Sequence, residues 1–176
     1  MDKVTLNRIE TIHPLLRQEL RCIYQEICET ITTPYAIFRF SHVLRSFFEQ
    51  DKLYAQGRTA PGTIVTNAQG GESFHNYGLA VDIVQLLDKD KNGTFETASW
   101  NTLLDADKDG IADWLECVKI FESYGWRWGL FNKNGVRYDL PHFQKTFGYT
   151  IGQLKLMPKD PQGYPIFKNI SVSVPY

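Results

Sequence analysis

Ser73–Asp82, SFHNYGLAVD, and Asp139–Phe143, DLPHF, are the two stretches on which the reading of this chain turns. The first carries an imidazole at His75 and a carboxylate at Asp82. Leu79–Val84 is apolar apart from Asp82 and reads as a buried strand. An unpaired charge inside it would be costly, so a metal or another cation is expected beside Asp82. The second stretch carries His142, with a spare acid, Asp139, three residues before it. Two histidines and one aspartate leave a tetrahedral position open on zinc, the pattern of a catalytic site and not of a closed structural one. A further carboxylate is what a zinc-activated water needs as its general base. His13 and His42 lack such company and are expected to be structural.

Outward from these stretches, apolar residues recur at helical spacing from Leu6 to Ile31, with Pro14 dividing a short first helix from a longer second. Tyr35–Phe40 reads as a strand, Arg45 to Leu53 as a short helix, and YAQGRTAPG as a polar loop. Ile64–Thr66 is expected to be a short strand. Trp114–Tyr124 reads as a helix closed by Gly125, and WRWGLF and GVRYDLPHFQ as strands completing a sheet. Trp126 and Trp128 are secondary candidates for the cleft wall. The tail from Lys155, with Pro158, Pro161, Pro165 and Pro175, is expected to wrap the surface with little regular structure.

SFHNYGLAVD matches the Ser-x-His-x-x-Gly-x-Ala-x-Asp signature of the zinc peptidases that include D-alanyl-D-alanine carboxypeptidases and L-alanyl-D-glutamate endopeptidases, and DLPHF resembles their second signature. The run RSFFEQDKLYAQGRTAPGTIVTNAQGGESFHNYGLAVDI resembles the L-alanyl-D-glutamate branch, which includes phage endolysins. The resemblance extends from about Phe40 to Phe147. It implies that His75, Asp82 and His142 bind Zn2+, that Asp139 is the catalytic base, and that Arg58 in the QGRT loop stabilises the oxyanion or holds a substrate carboxylate. Ser73 belongs to the signature and is expected either to contact substrate or to order the loop. The implied fold is α+β, N-terminal helices packed on a small, mainly antiparallel sheet that carries the zinc site in its cleft. The implied substrate is the stem peptide of peptidoglycan, cut between L-alanine and D-glutamate, with D,D-carboxypeptidase action as the alternative. A non-catalytic binding module of the hedgehog type shares the scaffold and the zinc set, but it has no use for a base at the position of Asp139.

An acidic insert, residues 88–116, separates the two signatures. DADKDGIADWLE, Asp105–Glu116, fits the calcium-loop pattern D-x-D-x-D-G-x5-E. Its expected ligands are Asp105, Asp107, Asp109, the carbonyl of Ile111, Asp113 and Glu116, with Gly110 at the sharp turn. DKDKNGTFETAS, Asp88–Ser99, follows the pattern through Asp88, Asp90, Asn92, Thr94 and Glu96 but ends in Ser99 where the bidentate glutamate belongs, so a weaker Ca2+ site is expected there. Ordering the insert is expected to fix the 114–124 helix and, through it, the geometry of His142.

The 176 residues are expected to form one domain, 1–176, and the 43% hydrophobic and 14% aromatic content is that of a packed core. A net charge of -1 gives no reason to expect nucleic acid or an anionic membrane as partner, and no apolar run is long enough to span a bilayer. Cys22, Cys28 and Cys117 are expected to be reduced, the first two lying roughly 9 Å apart along one helix, too far to bridge. The first residues show no signal-peptide core. The expected route to the wall is therefore release, injection or removal of a leader, as for an endolysin or an injected effector. The residues do not identify an immunity protein.

Overall fold

The protein is described from a computed structural model, covering residues 1–168, 170 and 172; the expectation for Pro175 lies outside the described residues. Five helices and five strands follow in the order α1 (Lys3–Ile9), α2 (Arg17–Thr30), β1 (Ala36–His42), α3 (Phe47–Ala55), β2 (Ala80–Leu87), β3 (Thr97–Ser99), α4 (Asp113–Ser123), β4 (Arg127–Phe131), β5 (Arg137–Gln144) and α5 (Ile151–Leu156), with single 3-10 turns at Pro14–Leu16 and Phe74–Tyr77. The sheet is antiparallel throughout, in the order β1-β2-β5-β4. β5 pairs with the first residues of β2, Ala80–Asp82, and β3 with the last, Gln85–Leu87. The fold is the expected α+β arrangement of helices on a small antiparallel sheet.

One face of the sheet carries the core. Val81, Ile83 and Phe143 point to this face and join Ile23, Tyr24 and Ile27 of α2 and Trp114, Cys117 and Phe121 of α4 in one core, all buried. Phe121 stacks on Phe143 with ring centroids 4.2 Å apart. By the same alternation Asp82, His142 and Gln144 point to the other face. The sheet thus separates a dry side, which supplies the stability, from an open side, where the polar residues gather.

Two ion pairs, one buried at its carboxylate and one half-buried, tie the helices to this sheet. Glu19 of α2, only 1% exposed, accepts from the ammonium of Lys145 at 2.6 and 2.8 Å and from the indole N–H of Trp126 at 2.7 Å. Lys145 also donates to the Tyr124 carbonyl. Asp2 caps α1 by accepting from the Thr5 N–H and takes both guanidinium arms of Arg39 on β1 at 2.9 and 3.0 Å.

One expectation needs correcting. Ile64–Thr66 is not a strand but an exposed loop: none of its backbone groups finds a ladder partner, so β-branched composition alone does not make a strand. The tail from Lys155 has little regular structure, as expected; α5, launched by a capping box at Thr150 and Gln153, precedes it and reaches into it only with Lys155 and Leu156. The remainder of the tail is held at the Lys159–Pro165 bridge and by Tyr164, whose hydroxyl donates to the Thr11 carbonyl. β3, at the end of the first acidic loop, joins β2.

Lys145→Met strands the Glu19 carboxylate in the core and is expected to cost about 3–5 kcal/mol in denaturant unfolding; unchanged stability would show that the pair is not a structural anchor. Burial works to raise the Asp2 carboxyl, but hydrogen bonds from Arg39 and Thr5 outweigh it and bring the pKa down to about 2. Because the folded value is depressed, this pair stabilises the fold fully above the unfolded pKa and loses its contribution as pH falls towards 2. Asp2→Asn should therefore lower stability at neutral pH by about 2 kcal/mol and flatten the acid limb of the unfolding profile between about pH 4 and 2.

Candidate active site

Each side chain of the site is set by a local device. Ser73 caps the 3-10 turn Phe74–Tyr77, its hydroxyl accepting from the His75 N–H, while the Asn76 side chain returns the bond. Gly78 ends the turn in the left-handed region, φ 66°, where an added Cβ would lie 2.7 Å from the His13 amide nitrogen. His75 is thereby delivered to the mouth of β2 and is 3% exposed. Asp82 is opposite His142 on β5 and opposite His42 on β1, so the three form one row across adjacent strands. A bulge at Ser41 puts His42 in that row.

The donor atoms converge. His75 Nε2 and His142 Nδ1 each lie 3.1 Å from Asp82 Oδ1 and 3.2 Å from one another. From the far side, His75 Nδ1 bonds the Val43 carbonyl at 2.8 Å and His142 Nε2 bonds Gln144 Oε1 at 3.0 Å. Both of those oxygens only accept, so the ring protons sit there and the lone pairs of His75 Nε2 and His142 Nδ1 face Asp82. Three acceptors at this separation, with no donor among them, fit a cation. A tetrahedral zinc with bonds of about 2.0–2.1 Å sets its ligand atoms roughly 3.3 Å apart, which matches the spacing. Without a cation, burial works against the Asp82 charge, yet the two imidazoles hold its carboxyl well below the usual range. Burial lowers His142 while Asp82 outweighs it, so that its pKa is raised.

Asp139 reaches the same cleft through an irregularity in β5. Two steps along β4, Trp128 to Leu130, face five along β5, Phe143 to Tyr138, so 139–141 stand out of the ladder as a bulge. Asp139 itself has φ 54°, a left-handed conformation uncommon for a side-chain-bearing residue. Trp128 holds the bulge, its indole N–H donating to the Leu140 carbonyl at 2.7 Å. Asp139 is open to the cleft, and desolvation by the walls, followed by the charge of Asp82, pushes its carboxyl up.

A cavity of about 450 Å³ is lined by His75, Asp82, Asp139, His142, Ser73 and Arg45 among others. It shares Thr66, Leu130 and Asp139 with an adjoining groove of about 710 Å³ walled by Ile64 and Tyr138. Arg58 lines neither. Its guanidinium donates to the Tyr54 and Thr66 carbonyls and to Asn67 Oδ1 and covers the Tyr54 ring, so its donors lock the 54–67 loop. Arg45, unremarked in the sequence, is the arginine in the cavity, donating to Gln50 at 3.0 Å and standing 3.6 Å from Asp82 Oδ2. Its adjacency to the Ser46 helix cap was the available signal. Gln144 was likewise missed, although its place two residues after His142 on a strand puts it on the same face. His42, expected to be structural, lines the cavity; His13 is structural, bonding Pro165 from a buried position. Trp126 is core and Trp128 supports the bulge from behind.

Of the acidic loops, Asp88, Asp90 and Glu96 bring carboxylate oxygens within 4.8 Å of one another, as do Asp105, Asp107 and Asp113, and Asp107, Asp109 and Glu116. In the first loop the Asn92 amide donates to Asp90 and Glu96, and Thr94 turns its hydroxyl to Asn92. Ile111 gives its N–H to Asp109 in the second. Burial, then the charges of Asp109, Asp107 and Asp113, push the Glu116 carboxyl up to about 7.

Residues 66–145 match the family model described as D-alanyl-D-alanine carboxypeptidase. The chain is 52% identical over 85 residues to a Bacillus subtilis (strain 168) protein named peptidoglycan L-alanyl-D-glutamate endopeptidase CwlK, a match covering 48% of this chain and 47% of that one. It therefore spans about half the length of the curated relative it matches. A crystal structure titled Serratia marcescens L-Ala D-Glu endopeptidase ChiX superposes with a TM-score of 0.46 at 19% identity, over 84% of this chain and 90% of the other. The segment that carries His75, Asp82, Asp139 and His142 lies inside the region, residues 66–145, that is similar to this family.

Proposed function

We propose that the protein is a zinc-dependent peptidoglycan peptidase that hydrolyses stem peptides, with the bond between L-alanine and D-glutamate as its target. The observation that carries this reading is the convergence of three potential ligand atoms, His75 Nε2, His142 Nδ1 and Asp82 Oδ1, at 3.1–3.2 Å on the wall of a cleft that also holds Asp139. His75, Asp82 and His142 would hold the zinc, which when bound supplies Lewis acidity towards water and the scissile carbonyl. Val43 and Gln144 keep the two imidazoles in the ligating tautomer.

Asp139 is the general base: it takes the proton of the attacking water and returns it to the leaving amine. Its raised carboxyl suits both halves of that task. The oxyanion role implied for Arg58 passes to Arg45, whose guanidinium is fixed by Gln50, faces the cavity and cannot lose its charge. Ser73 orders the His75 turn and, lining the cavity, also lies within reach of a bound peptide.

The substrate reading rests on the shape of the cleft and on the named relative. The cavity runs on into the groove along Ile64–Ala68 and Tyr138, which leaves room for a chain continuing past the scissile bond, as an endopeptidase needs and a carboxypeptidase does not. A peptidase of this class acts at the cell wall; among the described residues no helix is long and apolar enough to cross a membrane. The two acidic loops we read as calcium loops, with Asp105, Asp107, Asp109, Ile111, Asp113 and Glu116 as the fuller donor set and Asp88, Asp90, Asn92, Thr94 and Glu96 as the poorer.

Purified peptidoglycan incubated with the zinc-loaded protein is expected to yield new N-termini at D-glutamate, read by mass spectrometry of the muropeptides. Loss of a terminal D-alanine alone would reassign it as a D,D-carboxypeptidase. Asp139→Asn should retain zinc stoichiometrically and lose at least 100-fold in turnover, on the order expected for removal of a general base. Arg45→Ala should lose about 100-fold while Arg58→Ala loses less than tenfold, since only the former removes a donor facing the reacting carbonyl; the reverse ranking would return the role to Arg58.

A further inference from the structure

Four buried side-chain polar atoms among the described residues lack a hydrogen-bond partner, and three of them, Gln85 Oε1, Trp114 Nε1 and Glu116 Oε2, belong to the first turn of α4 and the strand beside it. Buried polar atoms are nearly always satisfied, so an orphan marks a missing partner. Glu116 is the most telling. It is 6% exposed, its Oε2 is unpartnered, and a carboxylate oxygen of it lies within 4.8 Å of oxygens from Asp107 and Asp109. Lys119 on α4 is the cation whose charge acts on it, and Asp109, Asp107 and Asp113 oppose it. Three carboxylates face one another, Asp109 exposed, Asp107 half-buried and Glu116 buried with a bare oxygen, and the group is short of positive charge.

The loop around them is already folded for a cation. Asp105 accepts from the Lys108 and Gly110 amides and Asp109 from that of Ile111. Gly110, at φ 95°, makes the turn with nothing within 4 Å of where a Cβ would be. These bonds use one or two lone pairs of each carboxylate and leave others free. An all-oxygen donor set of this size, with a carboxylate at the twelfth position able to bind through both oxygens, suits calcium better than the smaller, more exacting magnesium. The first loop differs: its Asn92 amide already donates to Asp90 and Glu96, and Ser99 is engaged in the sheet with Gln85.

Asp113 connects this loop to the catalytic sheet. One of its oxygens accepts from the Ala106 amide within the loop, and the other accepts from the Gln85 side chain on β2. Gln85 is fully buried and stands three residues beyond Asp82 on the same strand. Thr32, just after α2, gives its N–H to Asp107. The loop thus grips α4, the end of α2 and the strand that carries Asp82.

We propose that calcium, closed in by Glu116, braces α4 against β2 through Asp113 and Gln85, so that filling the 105–116 loop holds the strand of Asp82 in its catalytic register. The proposal rests on the calcium reading of this loop and extends it to the peptidase site. Ligand binding to the folded state alone stabilises it by mass action, and the brace adds an effect on turnover.

The test uses the zinc-loaded full chain carrying Asp90→Asn to silence the first loop, freed of calcium with a calcium-selective chelator and checked for retained zinc. Calcium is titrated by calorimetry, and melting temperature and turnover on peptidoglycan are read with and without it. Expected are one calcium per chain, a higher melting temperature and at least a threefold gain in turnover, with magnesium at equal concentration ineffective. Glu116→Gln should bind calcium at least tenfold more weakly and lose both gains; Asp109→Asn serves if that variant does not fold. Gln85→Leu should keep calcium binding and lose the gain in turnover. Absence of calcium binding at millimolar concentration overturns the calcium reading and the brace with it. Binding that leaves melting temperature and turnover unchanged, or a Gln85→Leu variant that keeps the full gain, overturns the brace while the calcium reading stands.

Discussion

Three potential ligand atoms that point at one another from two imidazoles and a carboxylate are the constraint around which this molecule is arranged. Val43 and Gln144 occupy the outer nitrogens of His75 and His142, and their inner lone pairs have only the Asp82 carboxylate to face. In a low-dielectric wall such a cluster is tolerable only around a cation. The elements that position it are rigid ones. The capped turn under His75, the pairing of Asp82 with His142 and the core packed behind the sheet supply that rigidity.

The sheet solves a second problem by alternation. Val81, Ile83 and Phe143 anchor the same strands that present Asp82 and His142, so the site is held by the hydrophobic core one side chain away. The bulge at 139–141 breaks the alternation where chemistry needs it, turning Asp139 into the cleft at the cost of a left-handed residue. Trp128, bonded to Leu140, holds that departure in place. The acidic insert lies between the two halves of the site in sequence and touches the strand of Asp82 in space, through Asp113 and Gln85.

The arginines show what a sequence pattern leaves open. Arg58 sits in a polar loop with a memorable signature, whereas Arg45 precedes an unremarkable helix. Their roles depend on which of them finds its donors already used. Arg58 spends its guanidinium on the Tyr54 and Thr66 carbonyls and on Asn67; Arg45, braced by Gln50, faces the cavity. His42 reaches the cleft side of the sheet for a related reason, since one extra residue at Ser41 reverses the side on which it stands.

By itself the sequence determined what depends on local periodicity and on residue chemistry: the helices before residue 31, the buried strand around Asp82, the α4 helix with its Gly125 stop, and the set His75, Asp82, Asp139 and His142. Apolar spacing and the cost of burying a bare carboxylate are written in neighbouring residues, and the family signature carried the rest. Only the tertiary structure decided which arginine enters the cleft, that Gln144 and the Val43 carbonyl orient the imidazoles, that Ile64–Thr66 is a loop, and that Asp139 stands on a bulge. Those outcomes follow from strand register and from competition for hydrogen-bond donors between segments distant in the chain, which no local window of sequence contains.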